Sequence, residues 1–68
     1  MRREFVKKSI EHYREIINDY NEMIAENEKK LADPNTNESQ RKALEMLNDV
    51  CKKEKKKCQK AIERLLSE

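Results

Sequence analysis

The chain carries one interruption. The stretch ADPNTNESQ, from Ala32 to Gln40, is the sole cluster of turn-forming residues in 68 positions; glycine is absent and Pro34 is the only proline. Gly and Pro are what a chain uses to reverse direction repeatedly. A fold of many turns is therefore excluded, and two long segments joined once remain. Both segments are rich in Lys, Glu, Leu and Ile, the composition of long helices.

The joint reads as a helix stop followed by a helix start. Asp33 precedes proline, which disfavours the helical region for Asp33. Pro34, Asn35, Thr36 and Asn37 are turn residues. Thr36 or Asn37 caps the next helix, and Asn37 with Gln40 has the spacing of a capping box. Glu38 suits the positive end of the helix dipole. The expectation is a single helical-hairpin domain over 1–68, with helix 1 about 3–32, a turn at 33–36 and helix 2 about 37–67.

The apolar periodicity agrees. Val6, Ile10, Tyr13, Ile17, Tyr20, Ile24, Asn27 and Leu31 alternate by four and three, as do Gln40, Leu44, Leu47, Cys51, Glu54, Cys58, Ala61 and Leu65. These are coiled-coil seams. Folding the chain about Asn35 and Thr36 pairs residues whose numbers sum to 71: Ile24 with Leu47, Tyr20 with Cys51, Tyr13 with Cys58, Ile10 with Ala61. Large side chains then oppose small ones, as interdigitating layers require. The fold class expected is all-α: an antiparallel two-helix hairpin, a helical coiled coil, dimerising into a four-helix bundle.

Dimerisation is expected because apolar residues are left over. Phe5, Ile16, Met23, Ala43, Met46 and Val50 flank the seam on one side, whereas Arg14, Asn21, Glu28, Arg41, Asn48 and Lys55 make the other flank polar. The six apolar residues form a stripe suited to a second copy or to another protein. Two helices alone bury little, and an added apolar layer would stabilise them.

Chemistry is sparse. Cys51 and Cys58 lie about 10.5 Å apart along one helix, too far for a disulfide or for one zinc. His12 is the only histidine, and no phosphate-cradling glycine or nucleophile–base pair is present. Glu54 in the seam is the nearest approach to a catalytic group and stands alone; a bond to the hydroxyl of Tyr13 or Tyr20, or access to water, accounts for it. Asn27, facing Leu44 in this register, sets register or oligomeric state. The reading is non-enzymatic, with no metal and no cofactor.

The run KKEKKKCQK, Lys52 to Lys60, invites a nucleic-acid reading through Lys52, Lys53, Lys56, Lys57 and Lys60. It holds no arginine for base contacts and no aromatic residue for stacking. Net charge is only +2, and Glu11, Glu15 and Asp19 are expected to offset part of the run. In outline such a dimer resembles the small RNA-binding plasmid copy-number regulators, a likeness of fold with no shared motif. No apolar run approaches the roughly 20 residues of a membrane span. No secretory signal is read in the first residues, so a cytoplasmic location, with free thiols, is expected. The Lys-, Asn- and Ile-rich usage fits an AT-rich bacterial or phage genome. The function expected is a small homodimeric regulatory or inhibitory protein docking on a larger protein through the stripe, with RNA or DNA binding by the lysine run as the alternative.

Overall fold

A computed structural model describes residues 2–67; residues 1 and 68 of the expected domain lie outside the described residues. Two α-helices, α1 (Arg2–Ala32) and α2 (Glu38–Ser67), pack against each other as a hairpin. The rod measures 53 × 14 × 11 Å between Cα extremes.

The turn is built from side chains and carbonyls, without glycine. Asp33 is its first residue: its carbonyl accepts from the Thr36 N–H at 3.1 Å and its Oδ1 from the Asn35 N–H at 2.9 Å. Asp at the first position and Pro at the second suit a reverse turn that needs no left-handed residue, and no residue described has positive φ. Two of the α1 carbonyls that lack helical partners, those of Lys30 and Leu31, are covered. Lys30 accepts from the Thr36 hydroxyl at 2.6 Å and from the Asp33 N–H at 3.2 Å, and Leu31 accepts from Arg41 Nη1 at 2.8 Å. At the start of α2 the capping box closes in both directions. Asn37 Oδ1 accepts from the Gln40 N–H at 2.8 Å, and Gln40 Oε1 accepts from the Asn37 N–H at 3.1 Å.

The register differs from the one that folding about Asn35 and Thr36 predicts. The Asn27 side-chain amide donates to Asn48 Oδ1 at 2.9 Å, and the Lys55 ammonium donates to Asn21 Oδ1 at 2.9 Å. Facing residues therefore have numbers summing to about 75, a slip of one helical turn from 71. Carried along both helices, this register sets Leu31 level with Leu44, Ile24 with Cys51, Ile17 with Cys58, Tyr13 with Ile62 and Ile10 with Leu65. All of these are at least half-buried. The pairings of Ile24 with Leu47, Tyr20 with Cys51, Tyr13 with Cys58 and Ile10 with Ala61 are each offset from this alignment by about one helical turn, while Val6 and Leu65 still border one hollow.

α2 has also turned about its axis. Arg41, Asn48 and Lys55, expected on an outer flank, are drawn toward α1 together with Ile62, while Leu47, expected in the seam, is 50% exposed. The physical reason is the amide of Asn27. Facing Leu44, it would be desolvated without a partner, at about 1–3 kcal/mol. Turning α2 by one position brings in Asn48, which is 6% exposed and bonded to it. Arg41 and Lys55 follow on the same side, their aliphatic stems over the seam and their heads on Leu31 and Asn21.

Asn27→Ala is expected to cost about 1–3 kcal/mol, because it leaves the Asn48 amide buried and unpaired. Asn27→Leu combined with Asn48→Leu should cost much less. Urea unfolding at one fixed protein concentration checks this; a single variant as stable as the parent would show that the bond does not set the packing.

Candidate protein-interaction face

Among the described residues only Asn48 and Cys51 are buried, and α1 buries none. Two helices meeting along one line shield each inward side chain on one side only. The apolar residues beside that line stay in water. Phe5 is 66% exposed, Met23 47%, Met46 69% and Val50 55%; Ala43 is exposed as well, and Ile16 is half-buried. Each of the six stripe residues is thus placed, and Ile16 is the one partly covered by the hairpin itself.

Leu47 is the member that sequence reasoning missed. The rotation that seats Asn48 lifts Leu47 onto the stripe, where it lines a shallow hollow with Met23, Asn27, Asp19, Glu22 and Glu26. The signal was present: a seam asparagine needs a polar partner, and Asn48 is the next residue. A second hollow, bounded by Lys30, Thr36, Gln40, Ala43 and Leu44, continues the face toward the turn. The apolar area is therefore concentrated in the turn half, around Met23, Leu47, Val50 and Ala43. In the far half Phe5 stands beside Ala61 and Leu65.

The lysine run lies mostly in solvent. Lys52, Lys53, Lys56, Lys57 and Lys60 are exposed; Lys57 donates to Glu54 Oε1 at 3.2 Å, and Lys55 turns inward to Asn21. The expected offset by helix-1 acids is not formed: among the described residues Lys29 pairs with Glu26 and Lys57 with Glu54, each within one helix. Glu54 accordingly meets Lys57, and no bond to a tyrosine hydroxyl is made.

Cys51 and Cys58 are free thiols, the first buried and the second half-buried. His12 packs its ring beside Tyr13 at a centroid distance of 6.1 Å, tilted by 54°. No group of three or more His, Cys, Asp or Glu that could hold a metal ion occurs among the described residues, and no helix there is long and apolar enough to cross a membrane. What the surface offers is an apolar stripe with an acidic border on α1 and a basic one on α2. No family model, curated protein or solved structure matches the chain.

Cys58 is expected to react with a bulky aromatic disulfide well ahead of Cys51, which is 2% exposed, with the two rates converging in urea. Equal native rates would mean that α2 opens around Cys51 far more often than this packing implies.

Proposed function

We propose that the chain is a non-enzymatic interaction module that dimerises into a four-helix bundle through its apolar stripe. The dimer would act as a small cytoplasmic regulatory or inhibitory protein that binds a larger one. The observation that carries this reading is the exposure of Met23, Leu47 and Val50 together on one side of a hairpin that buries only two of its described residues. A small domain with so little interior gains stability by burying a further layer, and bundles are where hairpins of this length find one. Side chains such as Leu, Met and Val each contribute about 1.5–3 kcal/mol when fully buried. Contiguous apolar exposure of this kind marks interaction surfaces.

A second reading rests on the five exposed lysines of the run, which would give salt-sensitive, sequence-blind affinity for RNA or DNA. Lys52 and Lys56 point away from the stripe, so Lys52→Glu with Lys56→Glu separates the two readings. The pair of substitutions abolishes nucleic-acid binding if that reading holds and leaves assembly intact if the stripe is the interface.

For the stripe, Met23→Glu with Val50→Glu is expected to convert the assembled protein to a monomer of lower thermal stability, read by light scattering and circular dichroism. Unchanged mass across the concentration range would show that the stripe is not an interface.

A further inference from the structure

The two borders of the stripe carry opposite charge at matching heights. In the register fixed by Asn27 and Asn48, Glu15 of α1 is level with Lys60 of α2, Glu22 with Lys53, and Asp19 with Lys57 to within one residue. Within one hairpin these groups do not pair with one another. Helical spacing puts Glu15 and Glu22 on the side of α1 turned from α2 and Asp19 on its stripe side, and it puts Lys53 and Lys60 on the side of α2 turned from α1 and Lys57 on its stripe side. None of the three acids has an ion-pair partner among the described residues, and of these lysines only Lys57 has one, on its own helix.

We infer that the occupant of the stripe is a second copy of this chain, related by a two-fold axis parallel to the rod, so that both turns lie at the same end. This rests on the reading of the stripe as a dimer interface, and adds the direction in which the two copies meet. A two-fold along the rod places α1 of one copy beside α2 of the other without changing heights. Glu15, Asp19 and Glu22 then each lie opposite the lysine level with them, twice over by symmetry, while Glu26 keeps its partner Lys29 on its own helix. The same operation sets Met23 against Val50, two residues apart in height, so apolar groups close over apolar groups in the turn half.

The competing arrangement has its axis across the rod, with turns at opposite ends. It stacks α1 on α1 and α2 on α2. With the rods fully overlapped, Glu15 and Glu22 of one copy then face Glu22 and Glu15 of the other, and the lysine run faces itself. Like charges at that spacing are unfavourable, whereas opposite charges across an interface fix orientation and register. The charge pattern therefore selects between two packings that the apolar residues alone would both permit.

The test combines mass with a distance. A spin label carried at position 35 on a noncanonical residue leaves Cys51 and Cys58 in place, and dipolar spectroscopy reads the label-to-label separation in the dimer. The expected result is a dimer with a separation of roughly 10–20 Å, one or two helix spacings. Glu15→Lys with Glu22→Lys should weaken this dimer about tenfold at low salt, and high salt should narrow the gap from the parent. A dimer whose labels sit near the 53 Å length of the rod overturns the arrangement. The interface reading survives that outcome if Met23→Glu with Val50→Glu still dissociates it, and falls with it otherwise. A chain that stays monomeric up to millimolar concentration overturns the inference outright. The stripe then belongs to a different protein, and the interaction reading stands or falls on whether the same double variant loses that partner.

Discussion

One hydrogen bond between two asparagines organises this hairpin. Asn27 sits where α1 presents its inward face, and its amide has to find a partner once water is displaced. Asn48 supplies it at 2.9 Å. Coiled coils use single polar core residues in the same way, giving up stability for one definite alignment. Here the alignment has two parts. It sets how far α2 is slid along α1, and it sets how far α2 is turned about its own axis. Hydrophobic burial taken alone favours Leu47 in the seam. The structure instead exposes half of Leu47 and seats Asn48. An unpartnered amide carries a penalty of the same order as the leucine's partial gain, and a bonded pair removes that penalty altogether.

The character of the surface follows from that rotation. Moving Leu47 outward joins Met23, Val50 and Ala43 into one apolar area near the turn, where the six-residue stripe by itself is more dispersed. The same rotation brings Arg41 and Lys55 inward, where their heads reach a backbone carbonyl and an amide oxygen on α1. Lys53, Lys57 and Lys60 stay exposed, level with Glu22, Asp19 and Glu15 of α1. A hairpin assembled this way has little interior, a concentrated apolar patch and two oppositely charged borders.

How much of this was legible in the sequence depended on range. The turn, the stop at Ala32 and the capping box of Asn37 and Gln40 are local, each decided by residues within a few positions of one another. The all-helical hairpin followed from the four-three spacing and the absence of other turn signals. The register was not legible by the same route. Counting outward from the turn assumed a symmetric bend and ranked facing layers by side-chain size. The alignment that forms is set across 21 positions, by Asn27 and Asn48, through polar satisfaction. Leu47 was misplaced for that reason alone, and Glu54 was left near the surface, where Lys57 reaches it. Stripe residues such as Phe5, Met23 and Val50 were readable because exposed apolar positions stand out against a chain that is 44% charged.

The turn made without glycine has a consequence on the other side of the folding equilibrium. Closing a bend through glycine means confining a residue that roams widely when unfolded. The connection from Asp33 to Asn37 contains none, and Pro34 restricts both itself and its predecessor while the chain is still unfolded. Fewer conformations are surrendered when the two helices come together. Part of what favours this hairpin therefore lies in the narrowness of its denatured ensemble, a contribution that no contact in the folded rod displays.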